Sequence, residues 1–220
     1  MDLPQNDFNM KIIKYNDLES CVLQSFEQIE CFQNIQGEKD IVCHQKGDYC
    51  YVIFLKDVKM HLQFFIENSN IKIKIFWIVL PESKVNDLTF SSVVKSSECC
   101  VDMNFVVLQS DNLVGTLDWK VIIEPHIENV EASLMEQVLL LGEHISSITK
   151  PSLYVSSPDV KAFHGTKIQK ISEETLFYLA SRWIGSKRAK QCMIDSYMNQ
   201  ALQTILLSKS EKNQIYSFFW

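Results

Sequence analysis

PSLYVSSPDVKAFHGTKIQKISEETLFYLASRWI, residues 151–184, changes its period part-way along. Up to Ile171 it reads as strand, interrupted by a lone His164-Gly165 turn. After Ile171 the pattern becomes helical. Ser172 is placed to cap a helix, and Glu173 and Glu174 put negative charge at the positive end of its dipole. Gly185 offers a stop. A second helix is expected after Ser186, where Ala189, Met193, Tyr197, Ala201 and Ile205 recur every four residues beside Cys192, Met198, Leu202 and Leu206. That broad apolar stripe suits packing on the strand body, docking of a partner, or both. The closing residues Ile215, Tyr216, Phe218, Phe219 and Trp220 add an aromatic end with the same two uses open to it.

Upstream, from residue 41 to about 165, apolar residues alternate with polar ones. The pattern is plain in Val58-Met60-Leu62-Phe64-Ile66, Ile71-Ile73-Ile75, Val101-Met103-Phe105-Val107 and Leu117-Trp119-Val121-Ile123. A period of two places one face of each strand in a core. Turn-forming clusters separate these strands at Asn68-Ser69-Asn70, Pro81-Glu82-Ser83 and Ser110-Asp111-Asn112. With six glycines in all, the turns rest on Asn, Asp and Ser. Many short strands at this spacing fit a sandwich, a barrel or a parallel β-helix. Residues 1–37 read as an N-terminal segment, partly helical, with Leu18, Cys21, Val22, Phe26 and Ile29 on one helical face opened by Asn16 or Asp17. Gly37 to Asp40 is the expected hinge into a β core over 38–170, and 171–220 form the helical tail. No internal repeat or low-complexity tract divides the chain.

Length and composition agree with one main domain: 220 residues, 46% apolar, 11% aromatic and 22% charged. A net charge of −6 gives no electrostatic reason to bind nucleic acid, which needs clustered Lys and Arg. The N-terminus, MDLPQNDFNM, lacks the basic start and apolar block of an export signal, and no apolar run approaches the ~18–20 residues that cross a bilayer. Seven cysteines, an odd number with no Cys-x-x-Cys spacing, read as free thiols in a reducing compartment. The expectation is therefore a cytoplasmic protein without nucleic-acid or membrane partners.

The stretch 151–184 also resembles the closing segment of the SufB/SufD family, scaffold subunits of the Suf iron–sulfur cluster assembly system. The likeness rests on Pro151, Leu153-Tyr154-Val155, Asp159-Val160, His164-Gly165-Thr166, Glu173-Glu174 and Leu176 to Ile184, with Val138 to Leu141 upstream. It runs from about Lys120 to Leu206, and Trp183 stands where the family prefers glycine. The resemblance implies a mainly β fold with helical ends: a right-handed parallel β-helix core followed by a C-terminal helical segment. It further implies a SufD-like subunit that pairs with a SufB-like scaffold and docks a SufC-type ABC ATPase through its C-terminal helices. Phe177, Tyr178, Arg182, Met193 and Tyr197 are the partner-binding candidates on those helices. His164 matches a histidine at the SufB–SufD interface, where a transient iron–sulfur cluster forms. A neutral imidazole is a suitable iron ligand, the remaining ligands must come from the partner, and the isolated chain is expected to hold no cofactor.

No Gly-x-Ser-x-Gly elbow, Gly-x-x-x-x-Gly-Lys phosphate loop, His-Glu-x-x-His or Gly-x-Gly-x-x-Gly occurs, so the chain is not expected to be an enzyme. A competing expectation is a metal-dependent, cupin-like β-fold enzyme using two or more of His44, His61, His126 and His164. A third is a degenerate SufB/SufD paralogue acting only as an interaction module.

Overall fold

The computed structural model describes residues 11–23, 27–80, 86–110, 116–142, 145, 148–203, 205 and 207–219. Along the chain run β1 (Lys11–Tyr15), β2 (Cys21–Val22), β3 (Glu27–Gln33), β4 (Gln36–Cys43), β5 (Gly47–Lys56), β6 (Val58–Ile66) and β7 (Ile71–Val79). They are followed by β8 (Asn86–Val94), β9 (Cys100–Gln109), β10 (Leu117–Ile123), β11 (Val130–Leu140), β12 (Thr149–Val155) and β13 (Val160–Lys170). Three helices close the chain: α1 (Glu173–Ser181), α2 (Ser186–Leu202) and α3 (Lys209–Phe219).

Successive strands alternate between two sheets. Odd-numbered strands build a seven-stranded sheet in the order β1-β3-β5-β7-β9-β11-β13, and even-numbered ones a six-stranded sheet from β2 to β12. Every pairing is parallel. Parallel neighbours two strands apart in sequence, with the intervening strand on the opposite sheet, make a winding β-solenoid. The parallel β-helix expectation holds, and the sandwich and barrel are excluded.

Register partners in a parallel sheet share a face. The residues singled out by alternation therefore stack in rows inside the solenoid. Met60, Leu62, Phe64, Ile73, Ile75, Met103, Phe105, Trp119 and Val121 all belong to one buried core. Its centre is aromatic: the Phe105 and Trp119 rings stack at 4.1 Å, and Trp77 meets Phe90 edge-on at 4.4 Å. Such pairs contribute about 0.5–1.5 kcal/mol each beyond area burial.

The corners of the coils are turned by left-handed residues, with φ of 53° at Asn34 and Asp57, 59° at Asn70, 60° at Glu98 and 54° at Asn129. Asn and Asp tolerate this region because a short polar side chain relieves its steric cost. The corners also stack, Asn34 N donating to Lys56 O at 3.1 Å and Asn70 N to Glu98 O at 3.1 Å.

The helices cover the outer face of the seven-stranded sheet. Ile29, Cys31, Val52, Phe54, Phe76, Ile78, Val106 and Leu108 point outward into a second core with Ile194, Met198, Ala201, Leu202, Ile205, Ile215 and Phe219. The aromatic end is thus tucked in: the Phe219 ring lies 6.2 Å from that of Phe54, and Phe218 lies 4.9 Å from Tyr15. Trp220, Leu206 and Phe26 lie outside the described residues.

Three expectations are corrected. Among the described residues of 11–37 the elements are strands β1, β2, β3 and the start of β4, with no helix, and the expected hinge at Gly37–Asp40 lies inside β4, so the β core already includes β1. The alternation there misleads because Gln28 and Glu30 face the lumen, while Ile29 and Cys31 face the helices. His164-Gly165 is no turn but the middle of β13. The glycine serves close packing, since a Cβ on Gly165 would meet the Met135 sulfur at 3.2 Å. Gly185 does not stop α1; it is the N-cap of α2.

Candidate functional site

Among the described residues the solenoid is open at both ends, at β1 and β2 and again at the last coil. β12 and β13 are the outermost strands of their two sheets, so each leaves one row of backbone N–H and C=O groups unpaired by a neighbouring strand. On β13, Val160, Ala162, His164 and Thr166 are in register with Val130, Ala132, Leu134 and Glu136 of β11, all of which are buried in the lumen. His164 accordingly occupies an inward-facing row, yet it is exposed because no further coil covers it. Exposed apolar side chains line both edge strands: Ile168, 52% exposed, follows His164 on the inward row, while Phe163 (58%) and Tyr154 (53%) stand on the outer faces of β13 and β12. Isolated exposed apolar residues are ordinary, but several along a pair of unpaired sheet edges mark a contact surface.

Beneath this edge lies a group the sequence did not reveal. Glu136 on β11 is fully buried and accepts hydrogen bonds from Trp119 Nε1 at 2.8 Å, from the Thr166 hydroxyl at 3.2 Å and from the Thr149 hydroxyl. The three donors come from β10, β13 and β12. At the other end of the lumen Glu30, in the same row, pairs with buried Lys39 at 2.7 Å. An alternation reading scores a carboxylate as solvent-facing, so neither residue stood out.

On the outer face beside β13, Asp102 accepts from the Ser133 hydroxyl at 2.6 Å and from Asn104 Nδ2 at 3.1 Å. Lys161 and Glu131 pair nearby at 2.9 Å, in a surface bridge of little energetic weight.

The helix candidates separate into two groups. α1 is capped as expected, Ser172 Oγ accepting from Thr175 N at 3.1 Å, but it buries no residue. Phe177 is 77% exposed, Tyr178 is exposed, and the Arg182 guanidinium sits 5.3 Å from the Tyr178 ring centre. Met193 and Tyr197 instead turn toward the second core, and Gln169 Nε2 of β13 donates to the Tyr197 hydroxyl.

The histidines of the competing metal-enzyme expectation are dispersed. His61 lies on the outer face of the six-stranded sheet, in register with Glu38 and Thr89, and is bonded to Gln63 at 3.0 Å. His44 and His126 lie between strands, and His164 is on the open edge. Among the described residues no group of three or more His, Cys, Asp or Glu converges as a metal site. All seven cysteines are free; burial pushes the Cys43 thiol up to about 12 and raises that of Cys31 further. Among the described residues no helix is long and apolar enough to cross a membrane.

Residues 60–197 match the family model described as "SUF system FeS cluster assembly, SufBD core domain". The chain belongs to the SufBD core family. Within it, the iron–sulfur cluster assembly protein SufD of Escherichia coli is 30% identical over 80 residues, 36% of this chain and 19% of that protein. An iron–sulfur cluster assembly SufBD family protein of Synechocystis is 28% identical over 89 residues, 40% of this chain and 20% of its own length. Protein ABCI7 of Arabidopsis thaliana, a chloroplastic protein, is 28% identical over 89 residues, 40% of this chain and 19% of its own. The matched stretches thus cover about a fifth of these relatives. In this SufBD chain the open edge and the exposed α1 both fall inside the matched region.

Proposed function

We propose that this SufBD protein is a non-catalytic, SufD-like scaffold subunit of a cytoplasmic iron–sulfur cluster assembly complex. It pairs through β12 and β13 with a SufB-like subunit and carries a SufC-type ATPase on its C-terminal helices. The observation that carries the pairing is the uncovered last coil, where a second parallel-stranded body satisfies the free backbone groups and buries Phe163, Ile168 and Tyr154. His164 sits at that seam and supplies one imidazole to a transient iron–sulfur cluster, its substrate and product rather than a resident cofactor. The other ligands come from the partner. α1 offers the ATPase its bare aromatic residues Phe177 and Tyr178 with Arg182, while Met193 and Tyr197 support the helix pair from beneath. ATP hydrolysis then takes place on the partner.

The test is co-expression with SufB-like and SufC-like proteins from the same host, purified through a tag on this chain alone. Both partners are expected to co-elute. His164→Ala should leave co-elution within about twofold, since an exposed imidazole contributes little packing, but abolish the visible absorption of an assembled cluster. Elution of the chain alone under gentle anaerobic conditions would sink the scaffold reading.

A further inference from the structure

We infer that Glu136 is a positioning residue for the open edge: its buried carboxylate ties β12 to β13 across the mouth of the lumen and so holds the seam, with His164, in one shape. The inference rests on the edge-pairing proposed above and adds the residue that governs it.

Three observations carry it. Glu136 shares its row with Ile53, Trp77 and Phe105, each fully or almost fully buried, so an apolar side chain would satisfy the packing there. A buried carboxylate is costly unless compensated, and the three hydrogen bonds to Glu136 come from neutral donors, whereas Glu30 has Lys39. Among the described residues no ion pair to Glu136 is found.

The donors also stand in a telling arrangement. Thr149 and Thr166 belong to the edge strands of two different sheets, which have no backbone ladder between them. Each edge strand is held by a ladder on one side only, and the carboxylate joins them from inside. Trp119 Nε1 fixes the carboxylate in turn, anchoring it to the ring stack at the centre of the core. Thr166 is two residues from His164 on the same inward row, so a shift of Thr166 carries the imidazole with it.

A merely structural role and a positioning role differ in what substitution does. Removing one partner of a buried polar network leaves the others unpaired, at a cost in stability that is spread over the whole fold or confined to the strands that the group joined. Glu136→Leu orphans Trp119 Nε1 and the two threonine hydroxyls, so it should lower the global unfolding midpoint, and beyond that loss it should free the edge. In amide hydrogen exchange on the isolated chain, β12 and β13 should speed up about tenfold more than β5, β7 and β9, whose exchange reports the change in global stability. Glu136→Gln keeps an acceptor for Trp119 and a hydrogen-bonding amide for the threonines, and should restore most of the protection. Thr166→Val, at an exposed position that tolerates the change, should free β13 alone if Glu136→Leu does not fold. Exchange of β12 and β13 that speeds up no more than that of β5, β7 and β9 in both Glu136→Leu and Thr166→Val overturns the inference.

Capture of the SufB-like subunit separates this inference from the reading it rests on. If the wild type captures the partner, Glu136→Leu should capture it about tenfold less and Glu136→Gln near normally. If the wild type captures nothing while exchange responds as expected, Glu136 still positions the edge and the pairing proposal alone falls. Full capture by Glu136→Leu with a loosened edge would overturn the positioning role.

Discussion

Trp183 shows at a single residue how this protein departs from the simplest solution. It lies just past the end of α1 with φ at 63°, its N–H donating to Ala180 O at 3.0 Å, while Ile184 N donates to Leu179 O at 3.0 Å. These paired bonds close a helix end whose left-handed position favours glycine. A side chain there costs about 1–2 kcal/mol, and Trp183 recovers none of it by packing, being 97% exposed. Trp183→Gly should therefore stabilise the chain by about 1 kcal/mol in urea titration, and a loss of stability would show that the indole packs in solution. The buried Lys39–Glu30 pair makes the opposite case. Both side chains are fully buried, Lys39 also donates to Asp17 O at 2.8 Å, and one Glu30 oxygen has no partner among the described residues. Lys39→Met leaves Glu30 buried and uncompensated and should cost about 3–5 kcal/mol, whereas the double variant Lys39→Met, Glu30→Leu should recover most of that loss. Equal stability of the single variant and the wild type would refute the pairing.

Among the elements, the helices divide by what they bury. α2 and α3 bring Ile194, Met198, Leu202, Ile215 and Phe219 onto the outward rows of β3, β5, β7 and β9. A chain ending at Ile184 would expose Ile29, Val52, Phe54, Phe76, Ile78, Val106 and Leu108, each contributing about 1.5–3 kcal/mol when buried. Such a truncation should aggregate, seen as light scattering and a loss of soluble yield, and a soluble, monomeric product would contradict the shared core. α1 carries no such load, which leaves its aromatic residues available to a partner. The helical pattern after Ile171 was legible because Ser172, the acidic pair and the four-residue stripe are local signals. The N-terminal strands were not, because their polar and apolar positions are exchanged. Helices cover the outside of β3, so Ile29 faces outward, and the lumen end is polar, so Gln28 and Glu30 face inward.

For the molecule as a whole, the coil repeat is real but irregular. Along one row the step from Gln28 to Tyr51 is 51 − 28 = 23 residues, and from Met103 through Leu134 it is 134 − 103 = 31. Unequal corners absorb the difference, and this is why no period appears in the chain itself. The sequence alone determined the strand faces of the body from residue 58 on, the turn at Asn68-Ser69-Asn70, the capped helix and, through the motif around His164, the family. Those features rest on local periodicity and short-range hydrogen bonding, which a linear reading detects. Only the tertiary structure decided that His164 lies on an open edge rather than in a turn, that Met193 and Tyr197 face inward, and that Glu136 joins two strands of different sheets. Each of these depends on which segments become neighbours across coils, and the winding that brings them together is set by packing in the lumen and beneath the helices, not by the residues beside them in the chain.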